Sequence, residues 1–272
     1  MNRLYFVFLA FCAFSASKIY AQSDDFGMDF GVEAGHKLAK GLKLGLEGNV
    51  RTQDNSRRIE RYGIGMDLSY KFFSTRDKKW DAKVAGGFEY MWVQNLSETS
   101  LKADSRIVDG QEIHTYNVQE RYWRNRHRTS LGLSLNYTPN KRWSFQLKET
   151  VQYSHYACKD SVGVAKYRFN DDDELYLKQP LSNAAKPSKD KFVLRNKISV
   201  TYDIPGCKID PYVSVDYGVG LGYVANKWKY TLGADYKLSK TSKLTVAYRY
   251  NTEDDDEEPN GHLVSIGYSF DF

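Results

Sequence analysis

After its first two dozen residues the chain alternates apolar and polar side chains with period two, in segments of ten residues or more. Successive side chains of a strand point to opposite faces, so only extended strands satisfy this pattern. In the first segment Phe26, Met28, Phe30, Val32 and Ala34 fall on one face, and Gly27, Asp29, Gly31, Glu33 and Gly35 on the other. The second sets Leu42, Leu44, Leu46 and Val50 against Lys43, Gly45, Glu47 and Arg51, after only a short Ala39-Lys40-Gly41 turn. The third runs Tyr62, Ile64, Met66, Leu68, Tyr70, Phe72, and the fourth Trp80, Ala82, Val84, Phe88, Tyr90, Trp92. Further segments follow at His127 to Tyr137, Trp143 to Tyr153, Phe192 to Tyr202, Val213 to Tyr223, Trp228 to Leu238, Leu244 to Tyr250 and His262 to Phe272, eleven in all.

Alternation alone fits a soluble β-sandwich as well as a membrane barrel, because both have one apolar face. Three features favour the barrel. Short turns near Ala39-Gly41, Ser74-Lys79, Thr138-Arg142, Asp203-Lys208 and Ser239-Ser242 interleave with longer polar segments near Gln53-Glu60, Asn95-Glu120, Ser154-Asp190 and Asn251-Gly261. Outer-membrane barrels have short periplasmic turns and long outer loops in this way. Aromatic residues also gather at both ends of the apolar faces: Tyr70, Phe72, Trp80, Tyr137, Trp143, Tyr202, Tyr236 and Tyr268 beside short turns or the C-terminus, and Tyr62, Trp92, Tyr153, Trp228 and Tyr250 beside long loops. Two such sets describe two interfacial girdles. Finally, the chain closes on an alternating aromatic strand, Tyr268-Ser269-Phe270-Asp271-Phe272.

The expected fold is therefore all-β: a transmembrane antiparallel up-and-down β-barrel of roughly 10 to 12 strands. A mean hydropathy of −0.61 does not oppose this, because half of each strand faces a charged interior. Residues 1–21 read as a signal peptide, with Arg3 as its positive region, Leu4 to Phe14 as its apolar run and Ala21 before the cut; residues 22–272 form the barrel. The outer membrane is the expected location. An eleven-strand count conflicts with the even number usual in bacterial barrels. The sequence suggests either a strand missed within Ser154-Asp190 or Val213-Trp228, or a segment outside the wall. Cys158 falls in an outer loop and Cys207 in an inner turn, so two free thiols are expected.

Short motifs add a resemblance. Asp25-Phe26-Gly27, Asp54-Asn55-Ser56-Arg57 with Arg61-Tyr62, Leu194-Arg195-Asn196-Lys197, Pro211-Tyr212-Val213-Ser214 and Tyr236-Lys237-Leu238-Ser239 together resemble an uncharacterised bacterial outer-membrane β-barrel family, of the domain of unknown function 2490 type. That resemblance implies a barrel fold and no activity. The terminal Phe272 strand looks like the signature that outer-membrane proteins present to the barrel-assembly machinery, which is expected as a partner together with outer-membrane lipid.

Function is to be sought on the inward face. Lys43, Glu47, Arg51, Asp67, Lys71, Lys83, Glu89, Arg124, Arg126, Arg128, Lys148, Arg195, Lys197, Asp235 and Arg249 are expected to line the lumen, with Arg124, Arg126 and Arg128 forming a ladder. Such charges either neutralise one another and fill a small barrel or line a narrow pore, or binder, for small polar or anionic solutes. A closed structural or surface-binding barrel is the rival reading, and an outer-membrane lipid-modifying enzyme a third. For the latter, Ser154-His155 with Asp160 or Asp171 is the only arrangement to name, and adjacent strand residues point apart, so no catalytic residue is assigned. No cofactor or metal site is expected, since the acidic runs Asp171-Glu174 and Glu253-Glu258 lack the spacing of a calcium loop. Gly218-Val219-Gly220-Leu221-Gly222 has no helix to follow it and so is not a dinucleotide site. The formal charge falls from +5 to +3 once Arg3 and Lys18 leave with the signal, too little to imply nucleic acid. Glu149, on the apolar face between Leu147 and Val151, is expected to be turned inward by a bulge.

Overall fold

The computed structural model describes residues 25–108, 111–170, 174–221, 226–253 and 261–272. The signal segment, Asp171 to Asp173, Gly222 and Asp254 to Glu258 lie outside the described residues. Eleven strands close into a barrel: β1 (Asp25–Ala39), β2 (Leu42–Gln53), β3 (Arg58–Ser74), β4 (Trp80–Asn95), β7 (Tyr122–Tyr137), β8 (Trp143–Tyr156), β11 (Lys189–Tyr202), β12 (Ile209–Gly220), β13 (Asn226–Lys237), β14 (Ser242–Glu253) and β15 (Gly261–Asp271). Each corresponds to one of the eleven alternating segments.

The parity conflict is resolved at the seam. Neighbouring strands are antiparallel all round the wall except β1 and β15, which pair in parallel from Asp25 opposite Gly261 to Gly35 opposite Asp271. An odd number of strands closes if one pair runs parallel, so no wall strand is missing and no segment is surplus. Both terminal strands run toward the short-turn end: the Phe272 amide donates to the Gly35 carbonyl at 2.9 Å, beside the β1–β2 turn. The purely antiparallel expectation is thereby corrected at one pair.

Two of the long segments contain strands that the sequence did not announce: β5 (Glu98–Val108) with β6 (Gln111–Gln119), and β9 (Lys159–Phe169) with β10 (Leu175–Lys186). They form a separate four-stranded sheet in the order β10-β9-β6-β5 at the long-loop end. Tyr116 of β6 stacks on Tyr167 of β9 at 4.5 Å, which ties the two hairpins together.

The alternation sorts as a barrel requires. Ile64, Met66, Leu131, Leu133, Leu147, Ile198 and Val213 all point outward and are half or more exposed, or nearly so. Aromatic pairs across neighbouring strands edge this belt. Trp80 packs on Tyr137 at 4.2 Å and Trp143 on Tyr202 at 4.7 Å at the short-turn end. Tyr153 packs on Phe192 at 4.8 Å and Tyr217 on Trp228 at 4.4 Å at the other. Glu149 is a correction: β8 pairs with β7 and β11 without any register shift, and Glu149 sits exposed on the outer face opposite Leu133 and Asn196. Cys158 and Cys207 are free, at opposite ends of the barrel.

Candidate lumen site

The inward side chains enclose a funnel. A chamber of 870 Å³ lies at the short-turn end, where Lys43, Glu47, Asp67 and Lys83 line it with Lys237, Lys243 and Asp271. Glu47 and Asp67 also line the next chamber, 420 Å³, with Glu89, Arg128 and Lys148. Beyond Arg128 the space divides into a chamber of 190 Å³, lined by Arg51, Arg195, Lys197 and Arg249 among others, and a crevice of 40 Å³ between Arg126, Tyr156 and Lys191.

Small residues make room for the acids of the wide half. Glu33 stands opposite Glu47, which stands opposite Gly65, which stands opposite Glu89. A Cβ on Gly65 would lie 2.6 Å from a Glu47 carboxylate oxygen, so Glu47 lies flat over the position that glycine leaves empty. Four carboxylates, Glu33, Glu47, Asp67 and Glu89, thus share the β1 to β4 wall, while Arg128, Lys148, Arg195, Lys197 and Arg249 occupy β7 to β14.

The narrow half is filled by paired charges. Arg51 and Arg61 stand directly opposite each other, a repulsive arrangement unless acids intervene. Arg51 donates to Asp29 at 3.0 Å, and Glu60 lies 3.7 Å from Arg51 and 3.6 Å from Arg61. A register shift between Arg51 and Thr52 leaves Glu60 as an extra residue in β3, and this bulge puts Glu60 and Arg61 in the interior together. Arg128 donates to Glu89 at 3.0 Å, and Arg195 is bonded to Asp216.

At the long-loop rim Arg124 donates to the carbonyls of Ala157 at 2.7 Å and Pro187 at 2.5 Å, tying β7 to the segments that follow β8 and precede β11. Beside it the Tyr156 ring is faced by Arg126 at 4.8 Å and Lys191 at 5.7 Å, cation–π contacts that add to what holds these cations at the rim. Arg51, Arg61, Arg124, Arg126 and Lys191 are all less than a tenth exposed.

At the short-turn rim the expected lining residues stand more open. Lys71 reaches Asp81 at 3.5 Å, and Asp235 accepts from Lys243 at 2.9 Å and from Thr245 at 2.6 Å. Lys237 joins Asp203 at 3.0 Å and Asp210 at 2.7 Å, and its donation holds the Asp203 carboxyl below its ordinary value.

Sequence reasoning missed Glu60, Arg61, Tyr156 and Lys191. Three of them lie where a strand runs past its alternating segment, before Tyr62 in β3, before Phe192 in β11 and after Tyr153 in β8; period-two extension of those segments places Arg61 and Lys191 inward. The bulge at Glu60 leaves no signal in the pattern. Ser154 and His155 are held apart: Ser154 lines the inner crevice, 5% exposed, while the His155 ring pairs with Asp190 at 2.7 Å and the Tyr153 hydroxyl donates to the same carboxylate at 2.9 Å. The partner of His155 is thus Asp190, not Asp160. Among the described residues no group of three or more His, Cys, Asp or Glu side chains is placed to hold a metal ion.

The sequence profile of a family described as "Protein of unknown function (DUF2490)" matches residues 30–262. No curated protein matches the sequence. Among solved structures, the crystal structure of the beta domain of the Bordetella autotransporter Brka is similar at 11% identity, over 86% of this chain and 82% of that one, with a TM-score of 0.45.

Proposed function

The chain belongs to the DUF2490 family of proteins of unknown function, and we propose that it is an outer-membrane β-barrel, exported by an N-terminal signal peptide, whose lumen receives small polar solutes from the periplasmic end. The narrow end is shut by paired charges, so the barrel acts as a binder of such solutes or a gated passage for them. Lipid is the environment that suits the outer face: Ile64 is 57% exposed, Leu131 62% and Ile198 59%, and an apolar belt of that extent is a liability in water. Closure of the wall also leaves no strand edge to be buried in lipid without hydrogen bonds.

The fall in cavity volume, from 870 Å³ at the short-turn end to 40 Å³ near the long loops, carries the reading. Folded protein in planar bilayers is expected to show no steady channel. The combined variant Arg124→Ser, Arg126→Ser and Lys191→Ser is expected to open discrete conductance steps. Large steps in the wild type would count against a shut lumen. Silence in both proteins would favour the rival reading, a structural or surface-binding barrel, for which the four-stranded sheet at the long-loop end is the supporting observation.

A further inference from the structure

One row of side chains crosses four strands on the outer face at the long-loop end. Tyr90 of β4 stands opposite His127 of β7, His127 opposite His155 of β8, and His155 opposite Asp190 of β11. The alternation that turns Leu131, Leu133 and Val151 outward places both histidines on the same face. Their ring centres are 6.3 Å apart. Two imidazoles that share one metal ion, each nitrogen about 2.1 Å from it, have ring centres roughly 5 to 6.5 Å apart for angles between tetrahedral and straight. The register of β7 against β8 thus sets the two rings at the separation of two ligands of one ion.

A second observation prepares His155 for that role. Asp190 lies 2.7 Å from His155 Nδ1 and accepts from the Tyr153 hydroxyl at 2.9 Å. An ionised carboxylate only accepts, so Nδ1 carries the proton and the Nε2 of neutral His155 keeps its lone pair. A carboxylate behind a histidine is the usual support of a metal-bound imidazole: it fixes the tautomer, orients the ring and raises the basicity of the other nitrogen. His127 is held by packing instead. Tyr90 meets its ring edge-on at 4.8 Å and Phe88 lies 6.1 Å away, and among the described residues it makes no hydrogen bond, so its ring can turn a nitrogen toward the same point. With the side chains of His155 and Asp190 37% and 55% exposed, an ion in the surrounding medium reaches the row.

We propose that His127 and His155 bind a divalent transition-metal ion, copper or zinc, at the outer rim of the barrel, with Asp190 as the positioning residue behind His155. Imidazole suits both ions, and copper is the more tightly held at a given nitrogen site. Two protein ligands leave the remaining coordination positions to water or to a donor brought by a solute, so the bound ion is exchangeable. The site lies outside the lumen and is independent of the passage or binding of solutes there.

Titration of the folded, detergent-solubilised chain, free of histidine tags and carrying Cys158→Ser and Cys207→Ser, tests it with copper followed by electron paramagnetic resonance and zinc followed by calorimetry. Saturable binding near one equivalent is expected, with two nitrogen ligands in the copper spectrum. His127→Gln and His155→Gln are each expected to weaken binding about tenfold or more and to leave one nitrogen; Asp190→Asn is expected to weaken it about tenfold with both nitrogens kept. His114→Gln, in the separate sheet, is expected to change nothing. Binding of copper alone or of zinc alone supports the site and names its ion. Absence of saturable binding of both ions, full affinity in either His127→Gln or His155→Gln, or an equal loss in His114→Gln overturns it, and full affinity in Asp190→Asn overturns the role of that carboxylate. Should a glutamine variant fail to fold by circular dichroism, histidine modification by diethyl pyrocarbonate in the unaltered chain decides: saturating metal is expected to shield both His127 and His155, and undiminished reactivity of either overturns the pair. Neither conductance nor membrane insertion enters these readouts. A negative titration therefore leaves the proposed barrel function standing, and wild-type conductance steps leave the site standing.

Discussion

The carboxylate of Asp25 governs a turn that its neighbours alone would avoid. Asp54, Asn55 and Ser56 all have positive φ, between 52° and 62°, and each non-glycine residue there costs about 1 to 2 kcal/mol. Consecutive left-handed residues aim their amides at one point, making a nest for an anion. Asp25 fills it, accepting from the Asp54 amide at 2.9 Å and the Asn55 amide at 2.7 Å, while the Ser56 amide donates to the Phe26 carbonyl at 2.8 Å. Two motifs that are thirty residues apart in the sequence are therefore the two halves of one structure beside the seam. Asp25→Ala is expected to cost about 2 kcal/mol, read as a lower urea midpoint for the barrel in lipid vesicles. Gly27 acts at the same place: a Cβ there would lie 2.4 Å from the Thr52 carbonyl oxygen, which is backbone and cannot swing away. Glu149 is the opposite case, a charge near the middle of β8 on the outer face. Glu149→Leu is expected to stabilise the barrel in a bilayer by roughly 1 to 2 kcal/mol, and a loss of stability would show that the carboxylate has a function at the surface.

At the scale of elements, the short turns are tied together by side chains. Lys237, at the end of β13, clamps Asp203 in the β11–β12 turn and Asp210 at the start of β12. Hydrogen bonding from Lys237 keeps the Asp203 carboxyl below its usual 3.8 in the folded chain. A group lowered on folding contributes stability above its unfolded value and loses it as pH falls through the folded value. Asp203→Asn is therefore expected to lower the unfolding midpoint modestly at pH 7, and the difference from wild type is expected to close in strong acid. A difference that persists there would mean the turn depends on the shape of Asp203 and not on its charge. The wall strands were legible because lipid-facing and lumen-facing demands alternate residue by residue. β5, β6, β9 and β10 were not: their sheet buries neither face fully, as Leu101 at 66% and Ile107 at 79% exposure show, so nothing imposes alternation on it.

For the molecule as a whole the deciding feature is the parallel seam. Phe30 lies opposite Ile266 across it, both facing outward, at a strand separation of about 4.8 Å that a disulfide can span. With Cys158 and Cys207 replaced by Ser, the pair Phe30→Cys and Ile266→Cys is expected to crosslink on mild oxidation of the folded protein. Phe30→Cys with Tyr268→Cys, two residues out of register, is expected not to. Crosslinking of the second pair in place of the first would overturn the closure. Sequence alone determined that the chain alternates in eleven segments, which side of each segment is apolar, and which charges share the inner face, because those properties follow from residue spacing along one strand. Only the tertiary structure decided that an odd wall closes through a parallel pair, that Glu60 turns inward at a bulge, and that His127, His155 and Asp190 fall in one row of the outer face. Such facts depend on the register between strands distant in sequence, which periodicity within a strand does not encode.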